Sequence, residues 1–170
     1  MGKFLFPDEY YDSTYSIPFE KYFKKGYKAV LFDIDNTLVP HGAMQDERSL
    51  ELFQRLKDIG FKVGFVSNNG EFRVREFNKP IHCEYAFKAG KPSASGFNKV
   101  MIKLGTNKDN TLFVGDQIFT DILGANNAKL HCILVNQIDK KEEIQIVLKR
   151  YLEKPVMKLY LRKHGMITKK

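Results

Sequence analysis

The sequence predicts an α/β fold: a Rossmann-like parallel sheet of five strands with helices on both faces. Three observations predict it. Five short, β-rich runs recur along the chain, and each is nearly continuous in its apolar residues rather than alternating. Strands of a parallel sheet covered on both sides read that way, because neither face meets water. Patterns of helical period lie between the runs, so strand and helix alternate in the order that right-handed crossovers require. Two of the helical patterns stop at a glycine, Gly60 and Gly105; glycine most readily takes the left-handed conformation that closes a helix.

The first expected strand is YKAVLFDI (27–34), followed by the helix DERSLELFQRLKDIG (46–60), with Leu50, Phe53, Leu56 and Lys57 at helical spacing. FKVGFVS (61–67) is the second strand, then one short helix, then CEYAFK (83–88) as the third. SASGFNKVMIKLG (93–105), TLFVG (111–115), FTDILGANNA (119–128) and HCILV (131–135) continue the alternation as helix, strand, helix, strand. In KEEIQIVLKRYLE (141–153), Ile144, Val147, Leu148, Tyr151 and Leu152 repeat at i, i+3, i+4, i+7 and i+8, one apolar face expected to pack on the sheet. The ends do not fit the alternation. We therefore expect a single domain over 1–170, with a core at 27–153, an aromatic extension at 1–26 and a basic tail at 154–170.

Composition narrows the class. A chain of 170 residues, 43% hydrophobic and 28% charged, has enough apolar surface for one globular core. No apolar run approaches the roughly 20 residues of a membrane span, and no signal-peptide pattern opens the chain. Cys83 and Cys132 both lie in apolar runs, which fits two thiols in a reducing cytoplasm rather than a disulfide framework. The four histidines show no metal-ligand spacing. The net charge is +8. Residues 149–170 carry eight Lys/Arg and one acid, so an electrostatic partner is expected at the C-terminal end.

Chemistry-bearing residues gather where the strands end. LFDIDNTLV (31–39) sets Asp33 and Asp35 at the carboxyl end of the first strand, with Thr37 just beyond. Ser67 ends the second strand and is followed by Asn68 and Asn69. Lys91, in AGKP, stands between the third strand and a helix; Asp116 ends the fourth strand in GDQIFTD, with Asp121 five residues on. Each has an ordinary explanation when taken singly: a turn or cap for the aspartate pair, an N-cap for the serine, a solvated loop for the lysine. Their shared position on one rim points to a site, since ligands of open α/β sheets bind beyond the carboxyl ends of the strands. Carboxylates buried together are costly unless a cation neutralises them, and a hard, oxygen-loving ion such as Mg²⁺ suits them.

In this order, DIDNTLV, VSNN, GKP and GDQIFTD resemble the four motifs of the haloacid dehalogenase-like (HAD) phosphatases, over roughly residues 27–136. The opening LFPDEYY and the tail LRKHGMI resemble the bacterial YqeG family, which is similar to the mitochondrial phosphatidylglycerophosphate phosphatases. The resemblance implies a Mg²⁺-dependent phosphomonoester hydrolase working through an aspartyl-phosphate. Asp33 is then the nucleophile, a carboxylate already ionised at pH 7. Asp35 is the general acid, then the general base. Asp33, the backbone carbonyl of Asp35 and Asp116 are implied metal ligands, with Asp121 holding a metal-bound water or orienting Lys91. Ser67 and Lys91 are implied to bind phosphoryl oxygens, and Asn68 and Thr37 to support loop geometry or touch phosphate.

Relatives that act on small metabolites carry a cap domain. Here 32 positions separate Asp35 from Ser67, and 24 separate Ser67 from Lys91, too few for an inserted domain. The site is expected to be open, as in the capless subfamily III, with a short flap near 38–46. Such a site suits a phosphate on something large. Phosphatidylglycerophosphate follows from the resemblance, not from the spacing. After Pro155, Val156, Leu159, Tyr160 and Leu161 mix with Lys158, Arg162 and Lys163, a composition suited to an anionic membrane interface. A cytoplasmic protein with peripheral membrane contact is expected. A phosphatase for nucleotides, proteins or nucleic-acid ends stays open, as does an RNA- or ribosome-associated module with vestigial activity, because lysines attract phosphates whatever carries them. The first 27 residues hold nine of the 22 aromatics, read as core packing or as an interfacial patch.

Overall fold

The structure, a computed structural model, describes residues 3–139 and 144–164. Its elements in chain order are β1 (Glu9–Tyr11), α1 (Phe19–Lys24), β2 (Ala29–Phe32), α2 (Glu47–Ile59), β3 (Lys62–Val66), α3 (Glu71–Asn78), β4 (Glu84–Ala86), α4 (Ser95–Leu104), β5 (Thr111–Gly115), α5 (Leu123–Asn127), β6 (His131–Val135) and α6 (Ile144–Lys163). The strands form one sheet in the order β1-β6-β5-β2-β3-β4, and every pair is parallel. All five expected strands are present, but the sheet has six. The addition is β1, from the segment expected to lie outside the core; it pairs Tyr10 with Leu134 at the edge of the sheet. Three half-buried residues, EYY, are too short and too polar to read as a strand.

The central strands explain the layering. Successive side chains of a strand point to opposite faces. Val30 and Phe32 therefore pack with Phe53, Leu56 and Phe65, while Leu31 packs on the other side with Phe97, Val100 and Phe113. Helix α2 is capped at both ends. The Asp46 carboxylate accepts from the Ser49 N–H at 2.8 Å, Ser49 Oγ accepts from the Asp46 N–H at 3.0 Å, and Gly60 closes the helix at φ 108°. Its buried stripe is Leu52, Phe53 and Leu56, whereas Leu50 of the expected stripe is exposed. At about 100° per residue Leu50 stands beside Phe53 but well round the cylinder from Leu52 and Leu56, at the margin of the buried stripe.

At the two ends the structure decides for core packing at the first and corrects the expected helix facing at the second. In the N-terminal segment Ile17, Phe19 and Tyr22 belong to the core, and the Phe19 ring meets Phe32 and Phe61 edge-on, with centroids 6.0 and 6.3 Å away. At the other end no break separates a helix ending at 153 from a tail starting at 154, because α6 runs straight through Pro155. The proline is on the exposed side, where water can satisfy the carbonyl its missing N–H leaves unbonded. Helix α6 also faces the opposite way from expectation. It buries Glu153 and Tyr160 and partly buries Val156 and Met157, while Ile144, Val147, Leu148, Tyr151 and Leu152 lie exposed. The expected helix start at 141–143 and the tail residues 165–170 lie outside the described residues.

Only α2 and β3 stand between Asp35 and Ser67, and only α3 and β4 between Ser67 and Lys91, so no cap domain covers the sheet. The pattern expected as one helix over 119–128 opens with a wide π-helical turn, Ile118–Ile122, before α5. Among the described residues no helix is long and apolar enough to cross a membrane. Neither cysteine is in a disulfide; Cys132 is buried and Cys83 half-buried.

Candidate active site

From β2 the chain winds outward to β3 and β4, then returns to lay β5 and β6 on the other side. The crevice beyond the ends of β2 and β5 is thus the point where the winding direction reverses, the usual ligand site of such sheets. Asp33 follows β2, its N–H donating to the Val114 carbonyl at 3.0 Å, and Asp116 follows β5. The chain then turns: the Leu38 N–H donates to the Ile34 carbonyl at 2.9 Å, and Asn36 takes φ 62°. Asparagine tolerates that left-handed conformation better than most residues. The N-terminal segment braces the turn from outside, as Thr14 Oγ1 donates to the Thr37 carbonyl at 2.7 Å and Tyr15 Oη to the Leu38 carbonyl at 2.6 Å.

Lys91 is the hub of the buried charges. Its Nζ lies 2.6 Å from Asp33 Oδ1 and 2.6 Å from Asp121 Oδ1. The other Asp121 oxygen accepts from the N–H groups of Asp116 and Gln117 at 3.1 and 3.0 Å, which fixes the loop after β5. That close approach requires Gly115. A Cβ on Gly115 would fall 2.6 Å from the Asp121 Cβ, well inside contact distance. Asp116 is held from two sides, by Thr37 Oγ1 donating to Oδ1 at 3.0 Å and by Arg150, whose Nη2 pairs with Oδ2 and whose Nη1 donates to the backbone carbonyl at 2.6 Å. Glu153, one turn along α6, accepts from the Ile118 and Phe119 N–H groups at 2.7 and 3.2 Å.

Burial raises the pKa of Asp33 well above the ordinary carboxylate range, with Lys91 acting in opposition. Burial likewise pushes Asp116 up to about 7, partly offset by Arg150. Burial works against the charge on Lys91, but Asp121 and Asp33 outweigh it and its pKa is raised. Carboxylate oxygens of Asp33, Asp116 and Asp121 lie within 4.8 Å of one another, and all three residues are buried. A set of hard oxygen donors, with the pKa values of Asp33 and Asp116 raised, fits a divalent cation, which would restore the ionised forms of those two. Asp35 is outside this cluster. Its Oδ1 accepts from the Gly42 N–H at 2.8 Å and from Arg73 at 2.9 Å, and its Oδ2 from the Asn69 amide.

The remaining expected residues are placed as follows. Ser67 is buried at the floor of the cleft and accepts from the Asn69 N–H at 3.2 Å. Asn68 also lines the cleft, but its amide is spent on Lys91: Oδ1 accepts from the Lys91 N–H at 2.8 Å and Nδ2 donates to the Lys91 carbonyl at 3.1 Å. Thr37 turns its hydroxyl to Asp116. These contacts make Asn68 and Thr37 supports for Lys91 and Asp116. The cleft itself holds about 160 Å³, with Asp33, Asp35, Ser67 and Lys91 inside and exposed His41 and Lys149 among its lining. Sequence reasoning missed Asn69, Arg73, Arg150 and Glu153. Asn69 is the last residue of the VSNN motif, where the sequence reading gives it no role of its own. The other three sit on helices whose facing only the packing decides.

Comparison with known proteins agrees with this geometry. A HAD-hydrolase-like family model matches residues 88–146. The chain is 33% identical to the probable phosphatase YqeG of Bacillus subtilis over 164 residues, covering 96% of this chain and 95% of that protein. It is 28% identical over 151 residues to phosphatidylglycerophosphate phosphatase 1 of Arabidopsis thaliana, covering 82% of this chain and 43% of that protein. The fold resembles the cobalt-bound deoxy-D-mannose-octulosonate 8-phosphate phosphatase of Haemophilus influenzae (TM-score 0.53, 14% identity, 65% of this chain and 69% of that one). A HAD phosphatase from Thermococcus onnurineus is similar too (TM-score 0.51, 15% identity, 74% and 97%). A relative one-third identical over nearly its whole length, joined to a capless α/β sheet with this rim of acids and lysine, makes the chain a phosphatase that belongs to the YqeG-like family of HAD-type hydrolases.

Proposed function

We propose that the protein is a Mg²⁺-dependent phosphomonoesterase that works through an aspartyl-phosphate, with a phospholipid monoester, phosphatidylglycerophosphate, as its substrate at a membrane surface. The observation that carries the chemistry is the position of Asp33, buried between Lys91 and the acidic pair at the base of an open cleft. An Asp33 oxygen attacks phosphorus and the bond to the leaving alkoxide breaks, while Asp35 gives that oxygen its proton. Asp35 then takes a proton from water, whose oxygen attacks the aspartyl-phosphate, releasing phosphate and restoring Asp33. Lys91 and Ser67 hold the phosphoryl oxygens as charge shifts onto them. Asp33, Asp116 and the Asp35 carbonyl would hold the cation, whose bound charge neutralises the phosphoryl oxygens.

Three features support the lipid. The site has no cap. Helix α6 presents an exposed stripe of Ile144, Leu148, Tyr151, Leu152 and Leu159, flanked by Lys154, Lys158 and Arg162. Apolar side chains beside lysines suit the anionic cytoplasmic face of a bilayer, each basic residue adding roughly 1 kcal/mol near the surface. The third is the Arabidopsis relative, whose name gives that substrate. The test is hydrolysis of phosphatidylglycerophosphate in mixed micelles, and of an aryl phosphate, by wild type and Asp33→Asn, with circular dichroism on both. The near-isosteric change should abolish both activities and leave the spectrum intact. Substantial activity in Asp33→Asn removes the covalent route. Full activity in excess chelator removes the metal, and turnover of the aryl ester alone removes the lipid.

A further inference from the structure

The cations around the cleft fall into two kinds. Lys91 is engaged by Asp33 and Asp121, Arg73 by Asp35, and Arg150 by Asp116 and Glu153. Their charge is committed to holding the site together. Lys149 and His41 line the same cleft from opposite sources, α6 and the flap after Asp35, and both are exposed. Among the described residues neither has a carboxylate within ion-pair distance. A lysine left unpaired at a cleft that opens onto low-dielectric walls focuses positive potential at the entrance.

The stretch of helix that carries it is anchored. The next residue, Arg150, is bonded to the Asp116 carbonyl at 2.6 Å, and Glu153 is bonded to the Ile118 N–H at 2.7 Å. Two side chains of the turn that follows Lys149 thus anchor α6 to the loop after β5, and Lys149 lines the cleft together with Gln117, Thr120 and Ile146. The monoester phosphoryl group belongs at the floor, beside Asp33 and Lys91. Lys149 and His41 are exposed basic residues of the cleft lining, whereas Lys91 is buried, so a group attached to the leaving oxygen meets them on its way out.

We infer that Lys149, with His41 on the same cleft lining, forms a second anion subsite that selects phosphomonoesters carrying a second phosphate on the leaving-group side. This rests on the proposed phosphatase reading and sharpens its substrate class. A phosphodiester in a lipid headgroup and the second phosphate of a soluble bisphosphate offer the same chemistry. An exposed lysine that is merely solvated would show no such selectivity.

The experiment uses the full chain with Mg²⁺ and compares kcat/KM for two soluble substrates: glycerol 3-phosphate, and the deacylated headgroup of phosphatidylglycerophosphate, which adds a phosphodiester. Wild type should favour the second by about tenfold. Lys149→Gln should bring that ratio close to one through KM rather than kcat, Lys149→Arg should restore it, and Lys99→Gln, an equal loss of charge on the exposed face of α4, should keep the wild-type ratio. Added salt should weaken the preference, since exposed charges are screened. A wild-type ratio of one, or a ratio unmoved in Lys149→Gln, overturns the subsite. A third arm with the intact lipid in anionic phosphatidylglycerol vesicles separates the two readings. Turnover of the headgroup but not the lipid keeps the subsite and removes the lipid substrate. Turnover of the lipid with a soluble ratio of one keeps the lipid and removes the subsite.

Discussion

The N-terminal segment and α6 both stand outside the strand–helix alternation, and they use their side chains in opposite ways. The N-terminal segment turns its large apolar residues inward. Ile17, Phe19 and Tyr22 join the core, and Thr14 and Tyr15 brace the loop that carries Asp35. Helix α6 turns much of its apolar surface outward and sends Arg150 and Glu153 in to the loop that carries Asp116. One region thus supports the site through packing, the other through buried charge. An apolar stripe on a helix is therefore not by itself a prediction of burial. Which face turns inward depends on what the sheet beneath it needs, and here the loop after β5 needs a counter-charge and an acceptor.

The largest expected effect is at Phe19, on the N-terminal side. Phe19→Ala removes a fully buried ring and leaves a cavity against Phe32 and Phe61, so stability measured by urea unfolding should fall by about 3–5 kcal/mol. A loss below about 1 kcal/mol would mean that the N-terminal segment is not part of the core.

On the α6 side the corresponding effect depends on pH. The Asp116 pKa stands at about 7, raised by burial from 3.8, so in the metal-free protein the folded state holds a proton that the unfolded chain has released across that interval. A folded state that binds more protons loses stability as pH rises. The melting temperature in chelator should therefore fall between about pH 4 and pH 7, and the gain from added Mg²⁺ should be larger at pH 8 than at pH 5. Arg150→Gln removes the charge that opposes this rise. Its cost should be small at pH 5, where Asp116 is protonated, and larger at pH 8, where the carboxylate would be ionised, buried and unpaired. A cost independent of pH would show that Arg150 acts through packing alone.

The smallest effect on stability is expected on the outer face of α6. Leu148→Ser with Leu152→Ser changes two exposed residues, so the unfolding free energy should move by no more than about 0.5 kcal/mol for each. Sedimentation with anionic vesicles should nevertheless drop severalfold. Unchanged vesicle binding would remove the membrane role of this face. A large loss of stability would show that the stripe is covered within the folded protein.

Most of the rim was legible in the sequence because strand ends are local events. An apolar run, a turn and a polar residue at the boundary suffice to set Asp33, Ser67, Lys91 and Asp116 on the same edge of a parallel sheet, whatever the rest of the chain does. Gly60 and Gly105 likewise marked helix ends through backbone conformation alone, and both take positive φ. The missing cap followed from counting residues between motifs. What the sequence by itself determined, then, was the sheet, its open edge and the acids and lysine along that edge.

Tertiary structure alone decided the rest. Whether Glu9–Tyr11 becomes a strand depends on β6 being free to pair with it. Whether α6 stops at Pro155 depends on that proline facing water. The pairing of Arg150 with Asp116 and of Arg73 with Asp35 spans 34 and 38 positions, between helices and loops with no shared periodicity. Local sequence records what a residue prefers to do with its neighbours in the chain. The facing of a helix is settled by the charges and cavities it meets on the far side of the fold, and those are assembled only when the sheet has formed.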